Sequence, residues 1–202
     1  RTGRPYTFKE RKLTASELEY WQQYGITPEI LEQYKVCSVV QFQSENADGN
    51  PFSYSSTKEE PIYGYKNKRF IKLYRPFSNN SYKYGGNIGE SYCFGLEQLP
   101  SKGDTLFITG GEKDVMSLAA HGFHAICFNS ETVTVPPNII YKLTFRFKHI
   151  ILLYDMDATG VESAKKHEKQ LCEYGVKRLL LPLQGTNCLL YTSPSPRDIS
   201  GS

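Results

Sequence analysis

No Cys-x-x-Cys pair occurs anywhere in the chain. The five cysteines, Cys37, Cys93, Cys127, Cys172 and Cys188, are odd in number and scattered, which excludes a zinc ribbon and a disulfide framework and leaves free thiols. Cys127 and Cys172 fall inside predicted elements and read as packed thiols. No apolar run approaches the length needed to cross a membrane, and the opening Arg1–Lys12 is basic without the hydrophobic core of a signal peptide. A cytoplasmic protein is therefore expected. No Gly-x-x-x-x-Gly-Lys-Ser/Thr is present, so a P-loop motor is not encoded in this stretch. Charge of one sign is also scarce: 24 Lys and Arg against 21 Asp and Glu give a net +3, too little to argue for a polyanionic partner unless the charge is clustered. The first residue is not methionine, and the chain reads as a fragment.

What is present divides by texture. Thr14-Ala-Ser-Glu17 is a capping box, with a helix expected to Tyr24, Leu18 and Trp21 facing inward and Gly25 ending it. Thr27-Pro28-Glu29 opens a second helix whose buried side is Ile30, Leu31 and Tyr34. Glu29 and Glu32 on that helix argue for packing and against a DNA-reading pair. From Val36 to Phe94 short β runs alternate with Asn, Gly, Ser and Pro. Ile62–Lys66 and Arg69–Tyr74 flank Asn67-Lys68, a two-residue hairpin turn in which Asn tolerates positive φ. Lys66, Lys68, Arg69, Lys72, Arg75 and Lys83 are interleaved with Tyr63, Tyr65, Phe70, Tyr74, Tyr82 and Tyr84. That mixture suits a surface that follows a phosphate backbone and stacks bases, and it equally suits a solvated sheet face.

After Pro100 strands and helices alternate. Leu106–Thr109 reads as a strand, Gly110-Gly111 as a tight turn, Glu112–His121 as a helix ended by Gly122, and Ala125–Phe128 as a strand. Pro136-Pro137 introduces a helical segment to Phe147; Ile150–Tyr154 is the third strand, Val161–Tyr174 a helix, and Val176–Leu181 the fourth strand. Such repeated units make a parallel sheet flanked by helices. Ile150–Leu153 is a short apolar run without alternation, as in a strand buried on both faces. Asp155 and Asp157 follow it, two apart, so both carboxylates leave one side of the strand's carboxyl end, where open α/β sheets bind ligands. Like charges so close call for a cation, and hard oxygen ligands suit Mg²⁺ or Mn²⁺. The competing reading is that one Asp merely caps the helix opened by Thr159-Gly160. If the first and third strands are neighbours, Glu112, Asp114, Asp155 and Asp157 gather at one edge. Ser130-Glu131-Thr132 also follows a strand end on that side, with substrate contact as its lesser reading. His121 and His124 are separated by the helix-ending Gly122 and do not read as a metal pair, and His149 reads as part of the loop before the third strand.

Phe107-Ile-Thr-Gly-Gly-Glu-Lys-Asp114 and Leu152-Leu-Tyr-Asp-Met-Asp-Ala-Thr-Gly160 together resemble the two motifs of the TOPRIM domain shared by bacterial and phage primases, topoisomerases and some nucleases. The resemblance runs from about Thr105 to Leu183 and is nearest to the primase part of phage primase-helicases, whose small lobe the Tyr- and Lys-rich segment ending in Cys93-Phe-Gly-Leu96 is similar to. It implies a TOPRIM-type α/β fold with a small basic α+β lobe over residues 1–100 and the TOPRIM domain over 101–187. The tail over 188–202, rich in Ser and Pro and poor in core-forming residues, reads by composition as disordered and looks like translated vector sequence. The resemblance further implies Mg²⁺-dependent nucleotidyl transfer, making RNA primers on single-stranded DNA from nucleoside triphosphates in a bacterial or phage-infected cell, with a replicative helicase fused or separate. On this reading Asp155, Asp157 and Asp114 are metal ligands, Glu112 joins them in catalysis, Lys113 touches phosphate beside the basic strip, and Gly110, Gly111 and Gly160 are structural. The family pattern has Glu-Gly after the first strand; this chain has Gly110-Gly111, which puts the chemistry in doubt. A TOPRIM nuclease or topoisomerase-like enzyme, a non-catalytic nucleic-acid-binding module and a nucleotide-sensing domain remain open alternatives.

Overall fold

The computed structural model describes residues 3–89 and 92–181; the expected tail 188–202 lies outside them. The chain forms two compact units, Arg1–Tyr92 and Cys93–Ser202. Residues 93–100, expected with the small lobe, belong to the second unit. Phe94 exchanges backbone hydrogen bonds with Cys127 at 2.9 and 3.1 Å, and the Arg146 guanidinium donates to the carbonyls of Leu99 and Pro100 at 3.2 and 2.6 Å.

The first unit is built on strands β1 (Tyr6–Arg11), β2 (Val36–Glu45), β3 (Pro51–Ser55), β4 (Tyr63–Lys66), β5 (Phe70–Tyr74) and β6 (Tyr82–Gly86). They pair antiparallel in the order β1-β2-β4-β5-β6, with β3 also on β2. A bridge between Arg4 and Gly86 joins the far strand back to the segment before β1, so the sheet curls on itself around Cys37, Val39, Phe42, Ile62, Ile71 and Leu73. The opening stretch, read from sequence only as basic, supplies this first strand.

Helices α1 (Ala15–Gln22) and α2 (Pro28–Gln33) sit between β1 and β2. The capping box at Thr14 and Glu17 forms as expected, and Thr27 caps α2 through the Ile30 N–H. Glu17 does more than cap: it is buried and accepts from the Thr14 N–H, from Ser38 Oγ at 2.8 Å and from Arg11 at 3.2 Å. Those donors offset the cost of burying its charge. Trp21 is fully buried and packs edge-on against Tyr63, which seats α1 on the sheet. The hairpin between β4 and β5 differs by one residue from expectation. The Asn67 N–H donates to the Phe70 carbonyl, so Lys68 and Arg69 form its tip. Asn67 has no positive φ; its side chain accepts the Arg69 N–H at 3.3 Å, the side-chain-to-backbone turn that Asn favours.

The second unit is a four-stranded parallel sheet of β7 (Gly103–Thr109), β8 (His124–Cys127), β9 (Phe147–Leu153) and β10 (Lys177–Arg178), in the order β10-β9-β7-β8. Its helices are α3 (Glu112–Ala120), α4 (Pro137–Thr144) and α5 (Ala158–Gln170). Leu106, Ile108, Ile126, Ile150 and Leu152 from the strands meet Ile140 and Leu143 of α4 and Ala164 of α5 in one core. Burial of this kind, worth about 1.5–3 kcal/mol for each large side chain, fixes the sheet that carries the loops described below. Two expectations are corrected here. Phe147 and His149 lie within β9, so the helix from Pro137 stops at Thr144, and Cys172 is exposed, not packed. No helix among the described residues is long and apolar enough to cross a membrane.

Candidate active site

Because β7 pairs with β8 on one side and β9 on the other, the chain reverses its direction of winding at β7. Crevices at such switch points lie outside the carboxyl ends of the strands. Thr109, the last residue of β7, stands opposite Leu153, the last of β9. The Gly110-Gly111 turn and the Asp155–Asp157 loop therefore leave the sheet side by side, and the neighbour relation on which the acidic edge depends is present.

The carboxylates are placed differently from one another. Glu112 and Asp114 are in the first turn of α3 and both are buried. Burial and then the neighbouring Asp155 carboxylate push the Asp114 carboxyl up to about 7, against the pull of Lys113. Lys113 is half-buried, and its ammonium acts on Asp114. Asp155 is half-buried, immediately past β9. Asp157 caps α5, its Oδ1 accepting the Gly160 N–H at 2.7 Å. The capping reading thus holds for Asp157, which uses Oδ1 for it.

Gly160 is in the first turn of α5, pressed against the Asp155 backbone. A β-carbon there would collide with the Asp155 carbonyl oxygen and come within 2.9 Å of its carbonyl carbon. Gly160→Ala is expected to push the Asp155 loop off α5 and to lower stability by about 1–3 kcal/mol, read as a shifted urea midpoint. An unchanged midpoint would mean that the loop yields without cost. Gly111 imposes no comparable demand: its φ of −157° is extended, and a β-carbon there would have nothing within 4 Å.

One carboxylate weighed only lightly in the sequence lies against the Asp155 backbone. Glu131 follows β8, and its Oε1 accepts the Asp155 N–H at 3.2 Å. Burial, opposed by that hydrogen bond and reinforced by the charges of Asp155 and Asp157, pushes Glu131 up to about 7. A β-carbon built on Gly110 would collide with Glu131 Oε1 and stand 2.7 Å from its Cδ. The signal was the acidic residue at the end of the strand beside the glycine turn.

The basic strip does not form one surface. Lys72 is corrected: it is buried at 2% exposure, its ammonium 5.3 Å from the Tyr92 ring and 5.9 Å from that of Tyr84. Alternation puts Lys66, Arg75 and Lys83 on the opposite side of the sheet from Lys72. Lys66 pairs with Glu10 at 2.8 Å and Arg75 lies 4.2 Å from the Tyr54 ring. Lys68 and Arg69 are exposed at the hairpin tip.

The family model described as Toprim-like matches residues 107–188. The second unit carries a TOPRIM domain. Solved structures similar to the chain include a DnaG primase catalytic domain bound to ssDNA (TM-score 0.66, 15% identity, covering 92% of this chain and 72% of that one). A DNA primase domain from Pseudomonas aeruginosa gives 0.63 and 16%, covering 85% and 65%. The primase fragment of the bacteriophage T7 primase-helicase protein gives 0.54 and 17%, covering 89% and 69%. No curated protein matches the chain. At these identities the likeness establishes the fold: the chain has the architecture of primase catalytic cores, with the TOPRIM sheet carrying the acidic edge.

Whether a divalent cation fits that edge depends on its donors. Among the described residues no three His, Cys, Asp or Glu side chains converge into a ready cage. Asp155 and Glu131 nonetheless act on the ionisation of Asp114, and Asp155 and Asp157 on that of Glu131. Mg²⁺ keeps several waters and is commonly held by one or two carboxylates plus substrate phosphates; Asp155 and Asp157 are oxygen donors of that kind.

Proposed function

We propose that the chain carries out primase-type nucleotidyl transfer, joining ribonucleotides on a single-stranded DNA template. The observation that carries this reading is the pairing of Asp155 and Asp157 with the first turn of α3 at the switch point of a TOPRIM sheet, in a chain with the fold of primase catalytic cores. In the reaction a 3′-hydroxyl oxygen bonds to the α-phosphorus of a nucleoside triphosphate, the bond to the bridging oxygen breaks, and pyrophosphate leaves with the hydroxyl proton passing to a base. Mg²⁺ or Mn²⁺ held by Asp155 and Asp157, with Asp114 beside them, would neutralise the triphosphate and polarise the attacking hydroxyl. Gly160 lets α5 approach Asp155 closely, and the Asp157 cap fixes the start of that helix. Lys68 and Arg69 at the exposed hairpin tip, with Lys83 and Arg75, would hold template phosphates, and Lys113 would serve the nucleotide.

A second reading, a nucleic-acid-binding module without chemistry, is favoured by the bare Gly110 after β7. Template-directed dinucleotide synthesis, run beside a strand-cleavage assay with Mg²⁺ and with EDTA, separates the two. Synthesis that requires Mg²⁺ and template supports the proposal. Cleavage alone would reassign the chain to the nuclease and topoisomerase branch, and Mg²⁺-independent single-strand binding without either product would make it a binding module. A replicative helicase, fused or separate, would be its natural partner.

A further inference from the structure

The buried stripe of α5 carries one residue out of keeping with a core. Gly160, Ala164 and His167 recur at helical spacing on the buried side, and His167 has no exposed surface. An apolar side chain there would bury at no electrostatic cost, whereas an imidazole keeps two polar nitrogens out of water. One of them has a close partner. Nδ1 lies 2.7 Å from the hydroxyl of Tyr154, itself buried at 3% exposure, and the two rings meet edge to face at 83°. Nε2 is buried without a hydrogen bond of good geometry, and the Val133 carbonyl, in the loop after β8, acts on the ring. A proton on Nε2, toward that carbonyl, leaves Nδ1 to accept from Tyr154. Burial pushes the imidazole down and the phenol up, so both are neutral near neutrality and their roles are fixed. Tyr154 is the residue immediately before Asp155, where the chain has just left β9. Packing alone would let its ring slide; a short bond to a nitrogen on a helix that Asp157 caps holds it in one direction.

We infer that His167 is a positioning residue: by accepting the Tyr154 hydroxyl it fixes the direction in which the chain leaves β9, and so holds Asp155 in place beside the first turn of α3. The catalytic consequence rests on the proposed function; the placement of Asp155 does not. The imidazole itself stays out of the chemistry, since it has no surface through which to reach a substrate. Stability alone would be served as well by two apolar side chains, because replacing both partners of a buried hydrogen bond by groups of like shape is nearly neutral. What the polar pair adds is direction, and the backbone it directs is the one that carries Asp155.

The test reads dinucleotide synthesis, thermal melting and hydrogen exchange at the Asp155 N–H, which donates to Glu131 at 3.2 Å, on the same preparations of the full chain. Tyr154→Phe leaves Nδ1 without its donor; melting should fall by about 5 °C, and kcat by about ten- to a hundredfold with KM unchanged. Tyr154→Phe with His167→Leu makes both partners apolar. Melting should return to within about 2 °C of the parent, while kcat stays low and the Asp155 N–H exchanges about tenfold faster, the amides of β9 keeping parental rates. A residue needed only for stability would recover synthesis together with melting, so parental kcat or parental Asp155 exchange in that double variant overturns the inference. His167→Asn puts a side-chain oxygen near the place of Nδ1 and should keep kcat within about threefold of the parent despite a lower melting temperature. Should the double variant not recover its stability, this single variant decides: a loss of Asp155 protection as great as in Tyr154→Phe overturns the inference. If the parent makes no dinucleotide, the primase reading falls, and faster Asp155 exchange in the double variant still upholds the inference. If the double variant keeps both parental synthesis and parental exchange, the primase reading stands and the inference falls.

Discussion

Asp155→Asn is expected to reduce Mg²⁺-dependent dinucleotide synthesis by a factor on the order of a hundred or more, with the melting temperature unchanged or raised. The substitution preserves shape and removes one negative charge beside Asp114 and Glu131. The Asp155 charge raises the pKa of Asp114 and, against the Asp155 N–H bond, that of Glu131, so neutralising it relieves repulsion in the metal-free protein. The same change removes a ligand charge from the reactive edge. Activity and stability therefore move in opposite directions, which a variant that damages folding cannot imitate. Dinucleotide yield and thermal melting on the same preparation check this; retained synthesis would remove Asp155 from the chemistry.

The metal-free protein is expected to lose stability as the pH rises from about 4 to about 7. Asp114 is raised from 3.8 to about 7 and Glu131 from 4.5 to about 7. In that window the unfolded chain has released these protons and the folded chain still holds them, so folding takes up protons and each step upward in pH favours unfolding. The contribution is fully present below the unfolded values and is lost once pH passes the folded ones. For Asp114 alone the difference is about 4 kcal/mol at roughly 1.4 kcal/mol per pH unit. Urea titrations at pH 5 and pH 7.5 in EDTA measure it. Asp114→Asn should flatten the profile, and Mg²⁺ should recover part of the loss at pH 7.5 by binding the ionised carboxylates of the folded state. A profile flat in the parent would mean that water reaches Asp114.

The TOPRIM sheet was legible because its signals are local. Ile150–Leu153 is apolar without alternation, Gly122 and Gly175 end their helices at φ of 84° and 73°, and Asp155 and Asp157 stand just past a strand. The order of those strands decided the rest: once β7 and β9 are neighbours, the acidic edge follows. Glu131 was harder to read because its contact with Asp155 and its place beside Gly110 arise only when the loops after β7, β8 and β9 are brought together. Lys72 misled for a related reason. Lysine in an alternating strand ordinarily points to water, and only the rings of Tyr84 and Tyr92 around its ammonium show that both faces of β5 are covered. The hairpin was displaced by one residue because Asn67 turns the chain with its side chain and not with a left-handed backbone.

The curled sheet of the first unit has a seam. Between Arg4 and Gly86 a backbone bridge closes it, the Gly86 N–H donating to the Arg4 carbonyl at 3.2 Å. A β-carbon on Gly86, at a φ of 82°, would strike the Arg69 carbonyl; the stave nearest the seam is thus tied to the same hairpin tip that carries Lys68 and Arg69. Parting the seam would bare the unpaired rims of β1 and β6 to other chains. The bridge that closes the sheet and the exposed hairpin tip of Lys68 and Arg69 are consequently held by one strand pair, Phe70 standing opposite Gly86.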